Sequence, residues 1–402
     1  MNAVDNLWII VSTALVLLMS VPGLAVFYGG LSREKNILNT ISMVFSAFCL
    51  VGILWIAYGY SLTFGGDIGG IIGDGRWLFL KGINPGDSAT AVPNILHYTF
   101  IIFQMTFACI TVGLIAGAFI ERMKFSAWLL FSLLWFTFVY VPVAHWVWGG
   151  GWLSDLGTLD FAGGMVVHET SGVSALAGAL ILGRRKEPFM LPASLPLTAV
   201  GTGLLWFGWF GFNGGSALSA NSVAVTAIFT TTMASITAGL VWMALEWLIL
   251  KKPTSLGLMT GFIAGLATVT PASGFVDVWE GVALGFFGAI ACYWAVVYLK
   301  TKLGYDDALD VFGVHGVGGV VGSLLLGILA KPSVNEASGL LFGNPSQLWS
   351  QLLGVVAVGL YSAIATGIIF LLLKAIVGLR VSPDMETEGL DRAFHGEEAY
   401  NR

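Results

Sequence analysis

Long unbroken apolar runs organise the chain, separated by short polar breaks. A transmembrane helix needs about 20 largely apolar residues. Eleven runs approach that length, at roughly 7–30, 39–64, 95–120, 125–147, 161–182, 193–213, 220–250, 256–271, 279–299, 309–330 and 349–379. The pattern predicts an all-α polytopic membrane protein with eleven transmembrane helices. The first run, in "MNAVDNLWIIVSTALVLLMSVPGLAVFYGG", carries Asp5 and no basic residue ahead of it. It is also longer than a signal-peptide core, so it reads as a retained first span. Residues 1–380 therefore form one membrane domain, and the polar, acidic stretch 381–402 is a tail.

The breaks differ in charge. Arg33, Lys35, Arg122, Lys124, Arg184, Arg185, Lys186, Lys251, Lys252, Lys300 and Lys302 fall in alternate loops, and Arg380, Arg392 and Arg402 follow the last run. Only Arg76, Lys81 and Lys331 lie in the other loops, and Lys374 sits inside the last run. Basic loops stay on the cytoplasmic side. The 14-to-3 asymmetry places the N-terminus outside and the C-terminus inside, as an odd number of spans requires.

Short motifs recur. "FYGGLS" (27–32) closes span one and "FNGGSALS" (212–219) closes span six. "DFAGGMVVH" opens span five and "DVFGVHG" (310–316) opens span ten. Two five-span halves, about 7–182 and 193–330, follow. An odd span number makes them an inverted repeat, with the extra helix 349–379 left over. Transporters built this way place the substrate path between the halves.

Composition agrees with the run pattern. The chain is 56% hydrophobic and 10% charged, with mean hydropathy +0.85 and 53 glycines. That excludes a soluble globular domain and a nucleic-acid binder. Cys49, Cys109 and Cys292 sit singly in apolar runs and read as small hydrophobes rather than as a disulfide framework or metal site.

The chemistry lies in ionisable groups inside the runs. His168 follows Asp160 by eight residues, roughly 12 Å of helix, and span five enters from outside. His315 follows Asp310 by five, and span ten enters from inside. Each half thus brings one histidine toward the midplane, where such groups face a pathway by default. A neutral imidazole donates one hydrogen bond and accepts another, so two in contact form a polar wire. A metal site would need further ligands, and Glu169 is the only neighbour. Asp160 and Asp310 open their spans as helix caps, and Asp160 can also add negative charge to an outer cation site.

Phe103 and Phe107 share one helix face beside Gln104, and "WFGWFGFNGGS" groups Trp206, Trp209, Phe212 and Ser216 at the outer end of span six, with Trp148 at the same level. An interfacial aromatic belt is the plain alternative. Facing inward, the rings form a cation–π vestibule. Such a contact is worth about 2 kcal/mol when desolvated, against tens of kcal/mol by the idealised Born estimate for burying an ammonium. A vestibule can select a cation but cannot carry it bare through an apolar pore. A cation able to shed its proton fits; ammonium can, sodium and potassium cannot.

The motifs "PGLAVFYGGL", "FQMTFACITVGLIAGAFIERMKF", "AHWVWGGGWL", "DFAGGMVVHETSG", "WFGWFGFNGGSAL", "DVFGVHGVGG" and "HGEEAY" stand in the order found in the ammonium transporter (Amt/Mep/Rh) family, which the chain resembles over nearly its whole length. The resemblance is closer to the bacterial-type Amt branch. It implies a homotrimer with one pore per subunit in the cell (inner or plasma) membrane, and no cofactor. It implies an outer ammonium site of Phe103, Trp148 and Ser216 with Asp160 nearby, a gate of Phe107 and Phe212, and a pore lined by His168, His315 and Trp209. It also implies that the tail 381–402 is regulatory and works with a PII signal protein at the cytoplasmic face. The favoured expectation is electrogenic ammonium uptake by deprotonation and ammonia conduction. A neutral channel for ammonia or carbon dioxide, and an ammonium sensor acting through a PII partner, stand as alternatives. A membrane enzyme is disfavoured, since no nucleophile–base set is visible.

Overall fold

The computed structural model describes residues 1–189 and 191–400; Arg402, counted above among the basic residues of the tail, lies outside them. Among the described residues, ten helical segments are long and apolar enough to cross a membrane. They are α1 (Ala3–Leu31), α2 (Glu34–Phe64), α3 (His97–Phe119), α4 (Phe125–Asp155), α5 (Gly164–Leu182), α6 (Leu195–Gly214), α7 (Ser222–Leu250), α9 (Val278–Leu303), α10 (Phe312–Leu329) and α11 (Pro345–Ile376). The run expected at 256–271 forms a shorter apolar helix, α8 (Ser255–Val269). Its 15 residues span roughly 22 Å. The irregular stretch after it runs on to the far loops, where Phe161 N–H donates to the Pro271 carbonyl and Lys331 N–H to that of Phe275.

The loops fall on two faces. On one face the tail meets the basic loops: Lys124 N–H donates to Leu379 and Lys186 N–H to the Glu386 carboxylate. On the opposite, tail-distal face, Asn94 bonds Asp5 and Leu218, and Lys331 pairs with Asp277. Helix α3 is buried almost throughout and forms the centre of the bundle. The lipid-length faces of α7 and α11 carry exposed apolar side chains such as Trp247, Leu248, Ile364 and Ile368, the arrangement expected where hydrocarbon is the solvent.

The tail is docked from Val381 to His395. The Asp391 carboxylate accepts the N–H groups of Leu38 (3.0 Å) and Asn39 (2.7 Å) at the start of α2, His395 bonds Asn39, and Arg380 pairs with Glu386 at 2.8 Å. A carboxylate at a helix N-terminus satisfies donors that the helix leaves free. Burial pushes the Asp391 carboxyl upward, opposed by these two N–H bonds.

Candidate functional site

Helix α5 begins at Gly164 because the chain turns first at Gly163, whose φ of +114° is in a region L-residues avoid. Asp160 anchors the turn. Its Oδ1 accepts the N–H groups of Gly163 (2.9 Å) and Gly164 (2.6 Å), and its Oδ2 those of Met165 (2.8 Å) and Val166 (3.1 Å). Four orphan donors are thus satisfied by one buried carboxylate. Only the first four residues of a π-helical turn, 164–167, separate this cap from His168, so Asp160 is not itself a point eight helical residues away from it.

Helix α10 has the same construction, but its anchor is Asp307 rather than Asp310. Asp307 Oδ2 accepts the Phe312 N–H at 2.7 Å. Asp310 has φ +59° and pairs with Lys300 at 2.6 Å, whereas a capping residue takes an extended backbone. Asp307 precedes His315 by the eight residues that separate Asp160 from His168. Burial pushes the Asp307 carboxyl up to about 6, with Lys300 opposing and Asp310 adding to the shift. Its neighbour Asp306 is held down at about 2: burial would raise it, but its bonds to Arg185 and the charge of Arg122 win.

Both histidines lie in π-helical turns, Gly164–Glu169 and Phe312–Gly316. Such wide turns re-aim a side chain within a helix. The rings meet with Nδ1 of His168 3.2 Å from Nδ1 of His315, nearly parallel at 16° and with centroids 5.1 Å apart. One Nδ1 must donate and the other accept, which requires two different tautomers or a proton in passage. His168 Nε2 is buried without a partner.

Three separate cavities mark a candidate path at this pair. On the tail-distal side a vestibule of about 420 Å³ is lined by Phe107, Trp148, Asp160 and Ser216. Ser216 Oγ–H donates to the Phe212 carbonyl at 2.7 Å, which leaves its oxygen lone pairs available, and Trp148 Nε1–H is tied to the Asp160 carbonyl at 2.8 Å. The vestibule closes at Phe107 and Phe212, stacked with centroids 4.3 Å apart. Beyond them lies a cavity of about 10 Å³ lined by His168, His315, Trp209, Phe212 and aliphatic side chains. That is the room of a single water-sized molecule. A second vestibule of about 510 Å³ opens beyond His315 toward the tail face.

The expected residues divide in two. His168, His315, Trp209, Phe107, Phe212, Trp148, Ser216 and Asp160 converge on this path. Trp209 stacks on His168 at 5.5 Å and donates Nε1–H to Thr270. Phe103 does not line the vestibule; it is fully buried behind Phe107, edge-on at 5.0 Å. Trp206 turns away and packs on Phe262.

Residues 7–400 match the family model described as the Ammonium Transporter Family. An ammonium transporter of Aquifex aeolicus is 54% identical over 398 residues, covering 99% of this chain and 93% of that protein. Ammonium transporter Amt1 of Archaeoglobus fulgidus is 49% identical, covering 98% of each. The crystal structure of Mep2 from Saccharomyces cerevisiae superposes with a TM-score of 0.88 at 36% identity, over 95% of this chain and 91% of that one. A structure titled Sensor Amt Protein superposes with a TM-score of 0.90 at 31% identity, over 98% of each.

Proposed function

The chain belongs to the ammonium transporter family and is a multi-pass membrane protein, and from that premise we propose that it takes up ammonium, strips its proton at the phenylalanine gate and conducts ammonia past the paired histidines. The observation that carries this reading is the alignment of two vestibules through one ring stack and one imidazole pair.

The tail-distal vestibule faces outside on this reading, as the basic loops dictate. There the faces of Phe107 and Trp148, 6.0 Å apart and edge-to-face, hold the cation, and Ser216 Oγ accepts one of its N–H bonds. Phe103 supports Phe107 from behind. The cation stops at the gate because the next space is apolar and admits about one small molecule. A neutral ammonia fits it and can hydrogen-bond an imidazole nitrogen. The Asp160 carboxylate adds negative charge to the vestibule wall while its oxygens remain engaged with backbone.

In the same reading the proton shed at the gate crosses along the His168–His315 contact and rejoins ammonia on the far side, which gives net charge movement; the reading also includes an inverted five-plus-five repeat completed by α11, with α8 as one of eleven spans, and a homotrimer in the cell membrane. The paired Asp–x7–His spacing and matching π turns at His168 and His315 support the repeat. Residues 381–402 form the regulatory tail, with a PII signal protein docking beside the 510 Å³ vestibule.

The test is labelled methylammonium uptake by purified protein in liposomes. Saturable uptake, competed by ammonium and not by potassium, is expected. Absence of flux together with tight binding of a PII protein would replace transport with sensing.

A further inference from the structure

We propose that Gln351 of α11 is a positioning residue for the outer ammonium site: it clamps Leu159 and, through the next residue, fixes the carbonyl that holds Trp148. The inference rests on the transport reading above. Residues 156–159 lead from α4 into Asp160 without regular helix, and the outer end of α11 bonds them one after another. Ser350 Oγ–H donates to the Leu156 carbonyl at 2.8 Å, Gln347 Nε2–H to that of Gly157 at 2.9 Å, and Thr158 Oγ–H to that of Ser350 at 3.3 Å. Gln351 takes both backbone groups of Leu159. Its Oε1 accepts the N–H at 2.7 Å and its Nε2–H donates to the carbonyl at 2.8 Å.

The second Nε2 hydrogen goes to the Ser323 carbonyl of α10 at 3.1 Å, and Oε1 also accepts from Gln347 Nε2 at 3.2 Å. An amide carries two donors and an oxygen with two lone pairs, so every bonding position of this fully buried side chain is used. An ordinary packing amide is the plain alternative, and such a group would tie one helix to another. Here two of the four bonds clamp a single loop residue from both sides, 192 residues away in sequence. A third ties the same point to the helix that carries His315, eight residues past it. The segment lies tight against α11, since a Cβ on Gly354 would sit 2.7 Å from Thr158 Cγ2 and 2.9 Å from Met165 Sδ.

The consequence runs through Asp160. Its carbonyl accepts Trp148 Nε1–H at 2.8 Å, and the indole forms the vestibule wall with Phe107, 6.0 Å away. When Leu159 is released, that carbonyl loses its fixed seat and the indole loses its orientation toward the cation. The imidazole pair is held separately and deeper, where Gly172 crosses closely over Gly316. Recruitment therefore weakens while maximal flux is kept.

The test measures half-saturation for ammonium and maximal flux in liposomes. Gln351→Met keeps the length of the side chain and removes all four bonds. It is expected to raise half-saturation about fivefold, with maximal flux within about twofold of wild type. Ser350→Ala is the control, because it removes one bond to the same segment three residues farther from Leu159; its half-saturation is expected within about twofold of wild type. If Gln351→Met does not fold, the half-buried Gln347→Leu decides: it strips one bond from Gln351 Oε1 and the bond to Gly157, and half-saturation is expected to rise about threefold. A purely structural amide would lower maximal flux and leave half-saturation alone. That result overturns the inference and leaves transport standing, as does a half-saturation in Gln347→Leu equal to wild type, or a weakening in Ser350→Ala equal to that in Gln351→Met. Wild type without any saturable ammonium flux overturns the transport reading and this inference with it.

Discussion

Gly172→Ala is a one-methyl test of how the imidazole pair is held. A Cβ at residue 172 would lie 2.2 Å from the backbone nitrogen of Gly316 and 2.3 Å from its Cα. Ordinary contacts between such atoms are about 3.5–4.0 Å, and both obstructing atoms are backbone, which no rotamer change can move. Helices α5 and α10 would have to part by about 1 Å or more. Gly316 follows His315 directly, so the 3.2 Å contact with His168 would be drawn beyond hydrogen-bond range. Overpacking of this kind costs about 1–3 kcal/mol. Gly203→Ala is the control, because nothing lies within 4 Å of the added carbon and helix propensity improves by about 1 kcal/mol. Thermal unfolding in detergent and ammonium flux in liposomes should separate the two. Gly172→Ala should melt lower and lose most of its flux, whereas Gly203→Ala should match wild type or exceed it. If Gly172→Ala melts and transports like Gly203→Ala, the close crossing does not hold the pair and the reasoning is wrong.

Two further outcomes follow from the geometry. Phe212→Ala removes one half of the 4.3 Å ring stack and part of the wall of the small cavity; it should cost about 3 kcal/mol in stability and admit potassium, and vesicles that stay potassium-tight would contradict the gate. Asp307 has a folded-state pKa near 6, above the ordinary carboxylate value, so the folded protein holds this proton more firmly than the unfolded chain. Its contribution to stability is therefore fully present below about pH 4 and declines as pH climbs through about 6, by on the order of 3 kcal/mol. Asp307→Asn cannot ionise, so its unfolding free energy relative to wild type should rise by about that amount over the same range; a difference independent of pH would refute the assignment.

Much of this arrangement is legible in the sequence, because hydrocarbon imposes length and charge rules that soluble proteins escape. The apolar runs locate the long helices, and the basic loops at Lys124 and Lys186 meet the tail. His168 and His315 stand out because an ionisable group in such a run needs a reason. Asp310 lies nearer to His315 in sequence, yet Asp307 is the cap, and the Asp–x7–His spacing shared by Asp160 and Asp307 is the signal for it. Phe103 and Phe107 share a helix face, and which of them reaches the vestibule depends on how α3 is rotated against α6, a tertiary fact. Trp206 and Trp209 differ for the same reason. Helix α8 ends at Val269 because Pro271 has no N–H to continue the ladder, and its carbonyl accepts the Phe161 N–H instead. The link between Gln351 and Leu159 joins segments whose pairing no local pattern encodes, and the docked tail depends on Asp391 finding the free N–H groups of α2.

The central claim is that charge enters the protein as ammonium and that the imidazole pair governs what passes. Transient current in proteoliposomes after an ammonium jump tests it most directly, with potassium as control and a His168→Ala, His315→Ala double variant alongside. Wild type is expected to give a saturable, ammonium-selective current that the double variant loses or makes unselective. Rapid internal alkalinisation without current would make the protein a neutral ammonia channel, and a selective current that survives in the double variant would contradict the role given to His168 and His315.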